Sequence, residues 1–96
     1  MIVVRNVFYA KYGKGDELVS LFKEYKPTLG AEYRQRILTD ASGKFFTVVL
    51  EYEVESLAEW EQATRRLFGT KDFESWFARS VPLVESGYRE FYNVEV

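Results

Sequence analysis

Between Phe45 and Trp60 the hydrophobic pattern changes from the period of a strand to the period of a helix, and no other feature restricts the fold as much. Phe46, Val48, Leu50, Tyr52 and Val54 share one face of an extended chain, and all are apolar or amphipathic. Phe45, Thr47, Val49, Glu51 and Glu53 share the other face, which is mixed. β-Branched and aromatic residues at period two predict a strand. Ser56 followed by Glu59 then makes a capping-box pattern, in which each side chain satisfies an orphan backbone donor at the other residue. Leu57, Trp60, Ala63, Thr64, Leu67 and Phe68 recur at helical spacing. The pattern predicts a central strand feeding a helix that folds back onto the strand's apolar face.

Ahead of this stretch, Ile2 to Lys11 alternates as a first strand, with Ile2, Val4, Asn6, Phe8 and Ala10 on one side and Val3, Arg5, Val7, Tyr9 and Lys11 on the other. Gly13-Lys14-Gly15 breaks it. Asp16 and Glu17 sit where acids complement a helix N-terminus, and Leu18, Leu21, Phe22 and Tyr25 form the apolar stripe of a first helix ended by Pro27 and Gly30. Ala31 to Thr39 reads as a second strand, polar enough to suit a sheet edge. Asp40 to Gly43 reads as a hairpin turn with a three-residue loop. After the capped helix, Gly69 to Lys71 interrupts; helical spacing resumes in Phe73, Trp76, Phe77, Val81 and Val84, with Pro82 bending its end. Ser86-Gly87 is expected to turn into a final strand, Tyr88 to Val96.

Strand, helix, strand, strand, helix, strand is the ferredoxin-like α+β arrangement, an antiparallel four-stranded sheet in the order 4-1-3-2 with the helices on one face. Pairing Phe8 with Val48 places Asn6 opposite Leu50 and Val4 opposite Tyr52, so the even face is almost wholly apolar. The same register sets Arg5 opposite Glu51, Val7 opposite Val49 and Tyr9 opposite Thr47. Both helices are spent on the even side. The odd face, with Val3, Val7, Tyr9, Phe45 and Val49, carries more apolar surface than a monomer leaves wet. Two copies stacking these faces about a twofold axis would bury it. The expected interface is Val3, Arg5, Val7, Tyr9, Phe45, Thr47, Val49 and Glu51.

Composition narrows the chemistry. At 96 residues the chain is expected to be one domain, residues 1–96, burying roughly two-thirds of its unfolded surface. A net charge of −2 gives no long-range attraction to nucleic acid or an anionic membrane, and neither is expected as a partner. There is no cysteine and no histidine. Disulfides, thiolate nucleophiles, Ser-His triads and the usual proximal haem ligand are therefore excluded. No metal site and no cofactor are expected. An early charge at Arg5 does not suit a signal peptide, and no apolar run nears the about 20 residues of a membrane span. The expected location is the cytoplasm.

The runs Val49 to Glu61, Asp72 to Phe77 and Val81 to Tyr92, with the opening Arg5 to Leu18, resemble the NIPSNAP-like branch of the dimeric α/β-barrel superfamily over nearly the whole chain. That resemblance implies a ferredoxin-like protomer dimerising through its sheet. The superfamily includes cofactor-free antibiotic-biosynthesis monooxygenases and haem-degrading enzymes. This chain departs from the branch at Leu50, where an aromatic is often found, and at Tyr12, where proline is common. No catalytic motif carries over residue by residue.

Six residues are candidates for lining a site. Trp60 and Trp76 serve either core packing or an aromatic wall for a flat ligand. Asn6 is the one polar side chain on the apolar face of a central strand, and leaving it unpaired would cost ~1–3 kcal/mol. It bonds either an internal partner or a ligand. If Asp40 pairs with Lys44, Arg34 and Arg36 align with Leu50 and Val48 on the helix side, where they either hold a carboxylate, phenolate or enolate or lie along a solvated edge with their stems covering apolar surface; a one-residue change moves them to the dimer face. Tyr52 supplies a phenolic donor. The expected function is a homodimer that binds a small apolar or aromatic molecule, with cofactor-free oxygenation as its catalytic form. The alternative is a non-catalytic dimerisation or accessory module.

Overall fold

A computed structural model describes residues 1–25 and 34–96. Its elements are β1 (Ile2–Ala10), α1 (Gly15–Tyr25), β2 (Gln35–Thr39), β3 (Thr47–Val54), α2 (Leu57–Phe68), α3 (Lys71–Ser80) and β4 (Val84–Asn93), with a 3-10 turn at Val81–Leu83. The four strands form one antiparallel sheet in the order β2-β3-β1-β4. This is the ferredoxin-like arrangement, with the second helical region divided in two. The expected helix end at Pro27 and Gly30, and the start of the second strand at Ala31 to Tyr33, lie outside the described residues.

The central pairing follows the alternation of apolar residues. Phe8 faces Val48, Asn6 faces Leu50, Val4 faces Tyr52 and Arg5 faces Glu51, as the sequence predicts. The even face packs on the helices, where Ala10, Val48 and Leu50 are buried with Leu18, Leu21 and Phe22 of α1. Phe8 and Phe22 meet edge to face at 5.0 Å. Burial of such side chains is worth roughly 1.5–3 kcal/mol each.

The helix termini are built by local side chains. Ser56 Oγ accepts from the Glu59 N–H at 3.1 Å. Glu59 returns the bond to the Glu55 N–H at 2.8 Å, one residue before the expected donor. The interruption at Gly69 to Lys71 carries a second cap, in which Thr70 Oγ1 accepts from the Phe73 N–H at 3.1 Å and starts α3.

Two expectations are corrected. The β2–β3 connection is longer than a three-residue loop: Asp40 pairs with Thr47, donating its N–H to the Thr47 carbonyl at 3.2 Å and accepting the Thr47 N–H on Oδ1 at 3.0 Å. Residues 41–46 form the loop, with Gly43 at φ +92° and Phe46 at φ +58°. Left-handed Phe46 leaves the strand, and its carbonyl accepts from the Ala10 N–H at 2.9 Å. Arg36 therefore faces Glu51 instead of Val48, a displacement of an odd number of positions, and such a displacement flips every side chain of β2.

The final strand likewise begins earlier than expected, at Val84, and contains Ser86 and Gly87. A Cβ on Gly87 would stand 2.6 Å from the Val7 carbonyl oxygen. This glycine marks a close backbone approach within the sheet, not a turn.

Candidate functional site

Between the even face of the sheet and the helices lies a cavity of about 380 Å³. Its floor is Asn6 and Phe8 of β1, Leu50 and Tyr52 of β3, and Val84 and Arg89 of β4. The helical side supplies Tyr25, Thr64, Leu67, Phe68, Phe73, Trp76, Phe77 and Ser80, with Val81 beside them. Much of this wall is aromatic because the helical stripes of α1 and α3 converge here. Tyr25 and Trp76 stack at 4.8 Å, and Phe68 meets Phe73 at 4.5 Å. Burial, with a smaller effect of the Asp72 charge, pushes the Tyr25 hydroxyl up to about 12. The Tyr25 hydroxyl and Trp76 Nε1 are buried without a hydrogen-bond partner among the described residues.

The polar end is a connected set. Arg89 Nε donates to Asn6 Oδ1 at 2.6 Å. The Arg89 guanidinium lies over the Trp60 ring, 5.0 Å from its centroid. Trp60 Nε1 donates to the Tyr52 hydroxyl at 3.0 Å, and its ring meets Phe91 edge-on at 4.9 Å. Arg89 reaches this position because it faces Asn6 across β1 and β4.

Of the six residues expected to line a site, Asn6, Tyr52 and Trp76 come together at the cavity. Trp60 stands against Arg89 and Tyr52, supporting the polar end. Arg34 and Arg36 go elsewhere, to a cleft of about 160 Å³ at the β2 edge with Glu51, Tyr52 and Glu53. Sequence reasoning missed Arg89. The signal lay in Asn6 itself, an amide in need of a polar partner, but Val84 opposite Ala10 alone would align it with Tyr88; the register shift between Tyr9 and Ala10 brings Arg89 there.

On the other face of the sheet, Val3, Arg5, Val7, Tyr9, Thr47, Val49 and Glu51 lie together as expected. Phe45 belongs to the loop instead, and is 72% exposed. Glu51 is 6% exposed and bonded to two arginines. One carboxylate oxygen accepts from Arg5 at 3.0 and 2.7 Å, and the other accepts from Nε and Nη2 of Arg36. Arg36 first, then Arg5, hold the Glu51 carboxyl below the usual range against the opposing effect of burial. Arg5 also lies over the Tyr92 ring at 5.0 Å, and the Tyr9 and Tyr88 rings approach at 6.0 Å. Leu38, Tyr88 and Tyr92 remain exposed on this face.

Among the described residues, no group of three or more acidic side chains gathers as a metal site. No described helix is long and apolar enough to cross a membrane.

No protein-family model matches the sequence, and no curated protein matches it. Solved structures do. An uncharacterised NIPSNAP domain protein from Burkholderia xenovorans superposes with a TM-score of 0.88 at 20% identity, over 98% of this chain and 94% of that one. A NIPSNAP family protein from Agrobacterium tumefaciens gives 0.83 at 20% identity, over 96% and 90%. An antibiotic biosynthesis monooxygenase candidate from Chloroflexus aurantiacus gives 0.76 at 11% identity, over 95% and 89%. The four-stranded sheet and the helices of the described residues thus have the fold of the NIPSNAP structures.

Proposed function

We propose that this protein works in the cytoplasm as a homodimer that binds a small, largely apolar or aromatic molecule in the cavity between sheet and helices, without a cofactor. The observation that carries the reading is the cavity itself. Its volume of about 380 Å³ falls in the range of roughly 300–1,000 Å³ typical of small-molecule sites, and its wall is mainly aromatic and aliphatic with polar groups at one end. In the catalytic form of this reading, the bound molecule is one whose anion reacts with oxygen directly, as the likeness to the monooxygenase candidate suggests.

Dimerisation is supported by the apolar and tyrosine-rich second face of the sheet, which a second copy would cover. A non-catalytic dimerisation module is the second reading, favoured by one observation: the Asn6 carbonyl already has an internal donor in Arg89.

Thermal shift against phenols, quinones and aromatic acids tests the cavity. Binding abolished by Thr64→Phe, which would fill the space, supports the first reading. A panel without any stabilising compound supports the module. Sedimentation at micromolar concentration tests the dimer, and a monomer there would remove it.

A further inference from the structure

Among the described residues, the lining of the cavity contains one cation, Arg89, and no acidic side chain. The remaining polar groups, Asn6, Tyr25, Tyr52, Thr64 and Ser80, are neutral at ordinary pH. Arg89 forms no ion pair among the described residues, whereas Arg5, Arg36, Arg65 and Arg79 each have a carboxylate. It is held in place all the same. Its Nε is committed to Asn6 at 2.6 Å and its plane lies over Trp60 at 5.0 Å. Those two contacts fix one edge and one face of the guanidinium and leave the two Nη groups for another acceptor.

We propose that the cavity takes a monocarboxylic acid with an apolar or aromatic body, its carboxylate on the Nη groups of Arg89 and its body along Trp76 and Phe73. This deepens the cavity reading and rests on it. A guanidinium fork matches a carboxylate in two parallel bonds, and stacking on an indole removes water from one of its faces. A single cation balances a single negative charge. A phosphate monoester, with close to two charges near neutral pH, would leave an uncompensated charge beside an aromatic wall.

Matched probes with one apolar body separate the two claims: naphthylacetate, its amide and the corresponding alcohol, each titrated by calorimetry. The acid is expected to bind about tenfold or more tightly than the amide, the size of one charge-assisted interaction. Arg89→Met should erase that difference while leaving the amide and alcohol unchanged, and Arg89→Lys should keep part of it. Asn6→Asp, which supplies Arg89 with a carboxylate from the protein, should also remove the preference for the acid. That variant decides the matter if Arg89→Met does not fold, as judged by circular dichroism. Acid, amide and alcohol binding equally, or a preference that survives Arg89→Met or Asn6→Asp, would overturn the carboxylate while the cavity reading stands. No binding by any of the three would overturn both.

Discussion

Asn6 and Arg89, 83 residues apart, are joined by a 2.6 Å hydrogen bond across the two neighbouring strands β1 and β4. This bond connects the sheet register to the candidate site. The register places a cation against the Asn6 amide on the helix-covered face, and the Trp60 ring of α2 lies against that cation. The polar end of the cavity thus depends on β4 lying in its observed position on β1.

Gly87 holds that position, so Gly87→Ala is expected to be costly. The added Cβ would meet the Val7 carbonyl oxygen at 2.6 Å, a backbone atom with no rotamer to escape by. Overpacking of this kind costs typically about 1–3 kcal/mol. Urea denaturation should show the loss. Because Arg89 lies two residues further on, affinity for naphthylacetate should fall more than affinity for the alcohol.

Glu51→Gln tests the arginine-flanked carboxylate on the second face. With Arg5 and Arg36 partly exposed, solvent screens the pair, and the expected loss is about 1–2 kcal/mol at pH 7 instead of the larger cost of breaking a fully buried pair. The arginines depress the folded pKa of Glu51, so its contribution is complete above the unfolded value of about 4.3 and declines as pH falls through the lower folded value. The difference between wild type and Glu51→Gln should narrow on acidification from pH 6 towards pH 3. A difference that stays constant across that range would show that the charge is not its source.

Two helix caps are expected to contribute comparably. Ser56→Ala removes the acceptor for the Glu59 N–H and Thr70→Ala the acceptor for the Phe73 N–H. Each should lower stability by about 1 kcal/mol. Their effects should add in the double variant to within about 0.5 kcal/mol, since the caps share no partner.

The second face of the sheet should respond to charge. Tyr88 is 48% exposed beside Tyr9, so Tyr88→Lys leaves the protomer core intact and places an ammonium in the proposed interface. Sedimentation should move toward the monomer, with the circular dichroism spectrum unchanged. An unaltered dimer would place the contact elsewhere.

Much of the frame was legible because it follows from local periodicity. The alternation of Phe46 to Val54 and of Ile2 to Ala10 is enough to pair Phe8 with Val48 and Arg5 with Glu51, since any odd slip would turn apolar side chains to water. The cap at Ser56 was legible for the same local reason. Asn6, Tyr52 and Trp76 were recognisable as residues that line the cavity because each is a polar or large aromatic group on a face otherwise committed to the core.

What the sequence by itself determined, then, is the order of elements, the central register and the existence of two unlike sheet faces, because strand and helix periods are set by the backbone. Only the tertiary structure decided where the outer strands sit. Phe46 leaves its strand to carry its carbonyl to Ala10, and that lengthened loop sends Arg36 to Glu51. Gly87 enters the sheet instead of ending a turn, and that brings Arg89 to Asn6. Both outcomes rest on contacts between segments far apart in the chain, where packing and close backbone approach, not local periodicity, select the register.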